Sequence, residues 1–274
     1  MTIFDAFRYD GKRVLVVGGA TGMGAAAAEL ARDAGAEVVV MDVADITLTG
    51  VKAIHVDLVE RASIDAALEE CGGRIDALFA CAGVADGTAG IEKVNFIGHR
   101  HLIDQLLARD MLGRGAAIGF ISSAAGLGWE ASLPELHELL ATPDFDSGVA
   151  WITAHRQADY YHSKQAVCAY VAAQAFPLGR RGIRINAICP GPTRTPLAEA
   201  NAETWLGFGA DYRSELGTEP ATPLEQAYPL VFLCSDAASA ISGTILITDG
   251  GYMSSGVTGS FPPATEIAGM LLGR

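Results

Sequence analysis

The chain has 274 residues, of which half are hydrophobic and 19% are charged, a composition typical of a globular protein with a substantial core. Lys and Arg number 19 against 32 Asp and Glu, so the net charge of −13 repels phosphate backbones and disfavours nucleic acid as a partner. No apolar run reaches the roughly 20 residues that span a bilayer, and the first residues lack the basic-then-apolar pattern of a leader. We therefore expect a cytoplasmic protein without membrane contact.

Five cysteines lie far apart among apolar neighbours: Cys71, Cys81, Cys168, Cys189 and Cys234. Their number is odd, and the sequence has no Cys-x-x-Cys pair and no Cys/His cluster with metal-ligand spacing. This pattern predicts reduced cysteines that serve packing, and no metal site.

Apolar runs rich in β-branched residues alternate along the chain with alanine-rich segments of helical length. The predicted strands are Val14–Val17, Val38–Met41, Ala53–Val56, Ile75–Phe79, Ala117–Ile121, Ile183–Ile188 and Thr244–Ile247. The predicted helices are Met23–Ala34, Ser63–Glu70, Ile91–Arg109, Arg156–Leu178 and Leu224–Leu233. Strands without polar alternation are covered on both faces, so the pattern predicts an α/β fold: a Rossmann-type, doubly wound parallel sheet in one domain over residues 1–274.

Two longer segments interrupt this alternation. Residues 127–155 stand between the fifth strand and the next long helix and contain their own helical pattern at Leu133–Leu140, and residues 197–222 follow the sixth strand. Because open α/β sheets bind ligands beyond the carboxyl ends of their strands, we predict that 127–155 and 197–222 form the substrate pocket. Three tryptophans within them are candidates for lining it: Trp129, Trp151 and Trp205.

The first strand is followed by a glycine-rich turn, Gly18-Gly19-Ala20-Thr21-Gly22-Met23-Gly24, and then at once by a helix. Glycines let the backbone approach a pyrophosphate, whose charge is met by the amides at the start of the helix. We therefore place Gly18, Thr21, Gly22, Met23 and Gly24 in a predicted cofactor site. An ordinary tight turn between strand and helix is the alternative.

Asp42 ends the second predicted strand, 18 residues after Gly24, which is close to the spacing at which an acid meets the adenosine ribose hydroxyls. Its charge would repel the 2′-phosphate of NADP, and the residues after it, Val43, Ala44 and Asp45, offer no Lys or Arg to bind that phosphate. NAD is therefore the predicted cofactor, and a solvated loop acid is the alternative.

Tyr160 and Lys164 lie four residues apart in a predicted helix, so their side chains share one face. A free tyrosine titrates near 10, and a phenol that exchanges protons near neutrality needs a nearby ammonium to stabilise its anion. The same spacing arises by chance in many helices, so the pair carries weight only together with the glycine turn.

In their order and spacing these motifs resemble the short-chain dehydrogenase/reductase family over essentially the whole chain. Gly18, Gly22 and Gly24 fit its Gly-x-x-x-Gly-x-Gly turn, and Asp249-Gly250-Gly251 is also typical. The resemblance implies a catalytic set of Asn95, Ser123, Tyr160 and Lys164. It implies further cofactor contacts at Asp57, Leu58, Ala82, Gly83, Tyr160, Lys164, Pro190, Gly191, Thr193 and Thr195.

The sequence departs from the family pattern at three places. Val17 stands for a common threonine and Ala80-Cys81 for two asparagines, so hydrogen bonds that support the turn must be made differently or lost. The gap from Ser123 to Tyr160 is 37 residues, longer than in most members. This long insertion resembles the branch that includes coniferyl-alcohol dehydrogenase and the bacterial 3α-hydroxysteroid dehydrogenase/carbonyl reductase.

The resemblance implies an NAD-dependent oxidoreductase that interconverts a bulky apolar alcohol, hydroxysteroid-like or alicyclic, and its ketone. Tyr160 would remove the hydroxyl proton, Ser123 would hydrogen-bond the substrate oxygen, and Lys164 would bind the nicotinamide ribose and lower the pKa of Tyr160. Asn95 would hold a water in a relay to solvent. The alternatives are an aryl-propenyl alcohol as substrate, or a non-catalytic NAD-binding sensor or scaffold, which the intact catalytic set disfavours.

Two neighbours compete with the catalytic residues, and the family pattern decides between them. Tyr161 lies three residues from Lys164 and does not fit Tyr-x-x-x-Lys, and Ser123 with Gly126 fits Ser-x-x-Gly better than Ser122 does.

The resemblance also implies a homotetramer or homodimer, built through the predicted helices Ile91–Arg109 and Arg156–Leu178. A tail, Tyr252–Arg274, follows the last motif and is predicted to cover the pocket of a neighbouring subunit.

Overall fold

The computed structural model describes Thr2 and residues 4–273, and seven strands in this part of the chain form one parallel sheet. The strands are β1 (Arg13–Val17), β2 (Glu37–Asp42), β3 (Lys52–His55), β4 (Ile75–Ala80), β5 (Leu112–Ile121), β6 (Arg184–Pro190) and β7 (Ile245–Thr248). Their spatial order is β3-β2-β1-β4-β5-β6-β7, so the direction of winding reverses between β1 and β4. The predicted Rossmann-type sheet is confirmed.

Helices cover both faces of this sheet. They are α1 (Gly22–Asp33), α2 (Arg61–Cys71), α3 (Gly98–Ala108), α4 (Leu133–Leu140), α5 (Phe145–His155), α6 (Tyr160–Arg180), α7 (Pro196–Glu199), α8 (Ala202–Trp205), α9 (Ala210–Leu216), α10 (Pro223–Cys234), α11 (Tyr252–Thr258) and α12 (Thr265–Leu271). No helix of the described residues has both the length and the apolarity to cross a bilayer.

Alternate residues of the central strands pack into two separate apolar clusters. In β1, Leu15 and Val17 join the cluster under α2, α3 and α6, whereas Val14 and Val16 join the cluster under α1 and α10. All four side chains are fully buried. Successive strand residues point to opposite faces, and a sheet with apolar partners on both faces has no position for polar alternation.

The catalytic helix begins later than the sequence predicted. The predicted helix Arg156–Leu178 is wrong at its start, because Arg156 adopts a φ of 56° and ends α5 in the left-handed conformation. Asp159 then caps α6, with its Oδ1 accepting a hydrogen bond from the backbone N of His162 at 2.9 Å. Tyr160 is therefore the first residue of α6.

The insertion at residues 127–155 packs on the outside of the sheet's own helices. Its predicted helix α4 is present, and a second helix, α5, was not predicted. Helix α4 contacts α6, and α5 contacts α3. Parts of α3 and α6, the helices through which a tetramer was expected, are thus covered by the same chain, and the oligomeric state stays a prediction.

Arg100 of α3 fastens this insertion to the core. Its buried guanidinium donates hydrogen bonds to the carbonyl of Leu139 at 3.2 Å, to Oγ1 of Thr142 at 2.9 Å and to the carbonyl of Thr142. Hydrogen bonds from a charged donor to buried carbonyls are stronger than neutral ones, and unmade partners are costly.

We expect Arg100→Ala to lower the free energy of unfolding by about 3 kcal/mol, because it removes charge-assisted hydrogen bonds to the carbonyls of Leu139 and Thr142. Arg61→Ala is the matched control: Arg61 also reaches the insertion, at Asp146 Oδ2 (3.0 Å), but both side chains are exposed. The control should change the free energy by less than about 1 kcal/mol. Urea unfolding followed by circular dichroism measures both, and equal effects would contradict the role of Arg100.

Candidate active site

The glycines of the first turn are required by space as well as by backbone conformation. Gly18 has a φ of 85°, and a Cβ there would lie 2.3 Å from the backbone N of Ala82. A Cβ on Gly24 would lie 2.0 Å from the carbonyl oxygen of Gly18. The turn therefore leaves the first amides of α1 open towards the end of the sheet, which fits a bound pyrophosphate.

Asp42 ties this turn to the end of β2. Its Oδ2 accepts a hydrogen bond from the N of Ala20 at 2.8 Å, and its Oδ1 accepts one from the N of Ala44 at 2.9 Å. A carboxylate has further acceptor positions, which remain for ribose hydroxyls. Asp57 shapes a second turn after β3, with its Oδ1 accepting from the N of Val59 at 2.9 Å beside the buried Leu58.

Backbone groups and one histidine replace the missing asparagines at the end of β4. The carbonyl of Val17 accepts hydrogen bonds from the N of Cys81 (2.8 Å) and the N of Ala82 (2.9 Å). Nε2 of His99 lies 3.0 Å from the carbonyl of Ala82, to which it donates because a carbonyl only accepts. Burial lowers the pKa of His99 to about 4, so the ring stays neutral. Sequence reasoning missed His99, whose partner is a backbone group.

Asn95 lies in a π-helical turn, Lys93–Ile97, directly before α3. Its Nδ2 donates to the carbonyl of Val84 and to Oγ of Ser163, both at 3.1 Å, and its Oδ1 accepts from the N of Val84 at 2.8 Å. Such turns occur often at functional sites. The side chain thereby fastens the loop after β4 to the catalytic helix, and its role in a water relay stays a prediction.

The geometry separates each catalytic candidate from its neighbour. Ser122 is buried and its Oγ donates to the carbonyl of Lys164 at 3.0 Å, whereas the hydroxyl of Ser123 acts on Tyr160, whose pKa it lowers. The hydroxyl of Tyr161 accepts from Gln165 Nε2 at 2.8 Å, and its side chain is not among those that line the cavity. Ser122 also lines the cavity, but its hydroxyl is engaged by the carbonyl of Lys164, so Ser123 and Tyr160 are the pair available to a substrate.

Lys164 is 4% exposed, and its Nζ donates to the carbonyl of Ile121 at 3.2 Å. Nζ lies 5.4 Å from the centre of the Tyr160 ring. Burial lowers the pKa of Lys164 to about 8, although the free thiols of Cys168, Cys189 and Cys81 act in the opposite direction. The ammonium is therefore held where its charge is unfavourable.

The acidity of Tyr160 differs from the prediction that Lys164 lowers its pKa. Burial raises the pKa of Tyr160 to about 12, and this outweighs the lowering by the Ser123 hydrogen bond. The thiol of Cys189 and the carboxylate of Asp86 raise it further. In the protein alone, desolvation is the larger effect because it penalises the phenolate directly.

Tyr160, Ser123 and Lys164 meet at a cavity of about 280 Å³ beyond the carboxyl ends of β1, β4, β5 and β6. Its described lining residues are Met23, Cys81, Gly83, Ile121, Ser122, Ser123, Ala124, Ala125, Tyr160, Lys164, Pro190, Gly191, Pro192, Thr193, Thr195, Leu197, Ala198, Thr204, Trp205, Phe208 and Leu271. Lys164 alone in this set carries a charge. The predicted cofactor residues Gly83, Pro190, Gly191, Thr193 and Thr195 are thus brought together with the catalytic set.

Only one of the two predicted pocket segments lines the cavity. Residues 197–222 contribute Trp205, whose ring centre lies 4.9 Å from that of Tyr160 at an angle of 45°. Residues 127–155 contribute none of the described lining residues, so their predicted place in the pocket is not supported. Trp129 and Trp151 pack against the apolar cluster under α3 and α6 instead.

The tail contributes to the cavity of its own chain, and its predicted cover of a neighbouring subunit's pocket stays a prediction. Leu271 of α12 lines the cavity, and α12 packs in an apolar cluster with Ala124 and Leu127. Gly128, with a φ of 74°, permits this approach, because a Cβ there would lie 2.3 Å from the carbonyl oxygen of Leu271.

Removing the buried charge should stabilise the protein. Because the pKa of Lys164 is lowered from 10.5 to about 8, the unfolded chain binds more protons between these pH values, and wild-type stability rises with pH there. Lys164→Met should therefore raise the free energy of unfolding by up to about 3 kcal/mol below pH 8, with the gain disappearing towards pH 10.5.

Chemical denaturation at pH 7 and at pH 10 measures this change, with Lys52→Met as an exposed control that should show no such pH dependence. A Lys164→Met protein that unfolds more readily than wild type at pH 7 would contradict the electrostatic penalty.

Two family matches divide the chain. Residues 12–133 match the family described as short chain dehydrogenase, and residues 145–253 match the one described as enoyl-(acyl carrier protein) reductase. Among the described residues, no group of three or more His, Cys, Asp or Glu side chains could hold a metal ion.

Similar proteins cover nearly the whole chain. Coniferyl-alcohol dehydrogenase of Pseudomonas sp. (strain HR199) is 31% identical over 89% of this chain and 97% of that protein. The 3-alpha-hydroxysteroid dehydrogenase/carbonyl reductase of Comamonas testosteroni is 30% identical over 87% of this chain and 95% of that protein.

The crystal structure of the 3-alpha-hydroxysteroid dehydrogenase from Pseudomonas sp. B-0831 complexed with NADH has a TM-score of 0.71 and 29% identity, covering 91% of this chain and 99% of that one. The glycine turn, the Tyr160–Lys164 pair and the cavity next to that pair are thus found in a chain whose relatives include alcohol dehydrogenases. The protein belongs to the short-chain dehydrogenase/reductase family and is an NAD(H)-dependent oxidoreductase.

Proposed function

We propose that the protein interconverts a neutral, apolar alicyclic alcohol and its ketone with NAD as cofactor. The observation that carries the proposal is the convergence of Tyr160, Ser123 and Lys164 on a cavity whose other described lining side chains are uncharged. An anionic substrate would lose its hydration there without gaining a cationic partner, since Lys164 is already directed to the carbonyl of Ile121.

Each catalytic residue has a task that its position supports. The hydroxyl of Ser123 holds the substrate oxygen next to Tyr160 and stabilises charge that develops on it. The phenolate oxygen of Tyr160 takes the proton from the substrate hydroxyl, and in ketone reduction its hydroxyl returns it. Lys164, buried beside the ring, stabilises the phenolate and binds the nicotinamide ribose. When bound, NAD supplies the hydride acceptor.

The proposed cofactor contacts follow the switch point between β1 and β4. Gly18, Thr21, Gly22, Met23 and Gly24 cradle the pyrophosphate at the start of α1, and Asp42 accepts from the adenosine ribose. Asp57 and Leu58 lie after β3 on the adenine side, and Ala82 and Gly83 follow β4. The segment after β6, with Pro190, Gly191, Thr193 and Thr195, receives the nicotinamide amide.

The size of the cavity favours compact substrates. Its volume of about 280 Å³ lies at the small end of ligand pockets and is shared with the nicotinamide end of the cofactor. Trp205, Phe208 and Leu271 close the remaining space with apolar surface. One of the similar proteins is a (+)-borneol dehydrogenase of Salvia officinalis, at 31% identity.

The first test measures NAD reduction with alicyclic alcohols of one and two rings, hydroxysteroids and cinnamyl-type alcohols. We expect the alicyclic alcohols to have the highest kcat/KM, and Tyr160→Phe to lower it by at least about 100-fold, since the proton acceptor is lost. NADH binding, followed by fluorescence, should be retained in Tyr160→Phe.

Two outcomes of this test would overturn the proposal in different ways. A preference for cinnamyl-type alcohols would replace the substrate class by the aryl-propenyl alternative. Binding of NADH without turnover of any alcohol or ketone would favour a sensor or scaffold.

Opening the apolar wall should change the size preference. Trp205→Ala and Leu271→Ala each remove side-chain volume from the cavity, so kcat/KM for a hydroxysteroid should rise roughly tenfold relative to that for a one-ring alcohol. Phe176→Ala, at a 76% exposed aromatic outside the cavity, is the control and should leave the ratio unchanged. An unchanged ratio in both cavity variants would show that these walls do not limit substrate size.

A further inference from the structure

The loop after β4, residues 81–90, approaches the catalytic helix at both of its residues that the mechanism uses, Tyr160 and Lys164. A Cβ on Gly83 would lie 3.4 Å from Nζ of Lys164. Val84 is held by Asn95, which also holds Ser163 of α6. Two residues further on, Oδ1 of Asp86 accepts a hydrogen bond from the backbone N of Tyr160 at 2.6 Å.

We propose that Asp86 is a positioning residue for Tyr160: its carboxylate anchors the first amide of the catalytic helix and places a negative charge at the start of that helix. The inference rests on the proposed role of Tyr160 in proton transfer. Neither the motifs of the sequence nor the proposed mechanism assigns a role to Asp86.

The anchoring follows from the start of α6. The first amides of a helix have no acceptor within the helix, and each needs a partner from outside. Asp159 takes the amide of His162, at 2.9 Å, and Asp86 takes the amide of Tyr160. Because the anchored residue is Tyr160 itself, the contact fixes the point from which the phenol extends towards Ser123.

The electrostatic part depends on which charged groups face the phenol. From α6 this is Lys164, with Nζ at 5.4 Å from the ring centre, and the Asp159–His162 pair lies at the start of the same helix. From β6 it is the thiol of Cys189, and from the loop it is Asp86; both raise the pKa of Tyr160. Ser123 and Trp205 complete the surroundings without charge. Asp86 is the loop's carboxylate in this set, and it is exposed enough to be screened by salt.

Three variants separate charge from anchoring. Asp86→Asn keeps an acceptor oxygen but removes the charge, and Asp86→Ala removes both. Asp144→Asn is the control, because Asp144 also accepts a hydrogen bond from an amide at the start of a helix, the N of Ser147 at 2.8 Å, but lies in the insertion.

The first readout is the pH dependence of kcat/KM for alcohol oxidation. Removing the charge lowers the pKa of Tyr160, so the rising limb should move to lower pH by a few tenths of a unit in both Asp86 variants, and less at 1 M salt. Asp144→Asn should follow wild type. Asp86→Ala alone should also lose roughly tenfold in kcat, since the phenol is then less well placed.

The second readout needs no turnover. Amide hydrogen exchange of Tyr160, followed by NMR, should accelerate in Asp86→Ala and stay slow in Asp86→Asn, which retains the acceptor. A rising limb unmoved in Asp86→Asn, or an exchange rate unmoved in Asp86→Ala, would overturn the proposal. If no alcohol is oxidised, the proposed function fails while the exchange measurement still decides the contact.

Discussion

The buried ammonium of Lys164 is the constraint around which the site is built. A charge at 4% exposure is disfavoured by desolvation, and the pKa of about 8 records that cost. The ammonium has two nearby partners: the carbonyl of Ile121 at the end of β5 and the ring of Tyr160, one helical turn away. The helix that carries it is buried from Ser163 to Val171. The covering of α6 by the insertion therefore belongs to the electrostatics of the site as much as to its packing.

Two opposing effects act on the phenol, and their sizes decide the resting state. Burial raises the pKa of Tyr160 to about 12, and a single hydroxyl from Ser123 does not reverse it. The pKa of Lys164 is near 8 and thus lower than that of Tyr160, so the phenol keeps its proton in the protein alone. Forming a phenolate beside an ammonium therefore costs free energy in the protein alone. The residues around Tyr160 and Lys164 determine the size of that cost.

The sequence predicted those elements that the type of residue alone identifies. Uninterrupted β-branched runs identified the strands, and glycines with no room for a Cβ identified the turn. The start of α6 was misplaced because a left-handed Arg156 has no signature in composition, and α5 was missed because Gly148 weakens its helical pattern. His99 and Asp86 were not predicted because their hydrogen-bond partners are backbone groups. Leu271 was not predicted because it meets the cavity from a distant part of the chain.

The closing of the cavity by α12 has a consequence for biosynthesis. A ribosome releases the glycine turn, β4 and the catalytic helix well before it has made Leu271, which stands 111 residues after Tyr160. The nascent chain thus contains every residue proposed to hold NAD while the outer wall of the cavity is still missing. We therefore expect removal of α12 to change substrate selectivity more than NAD affinity.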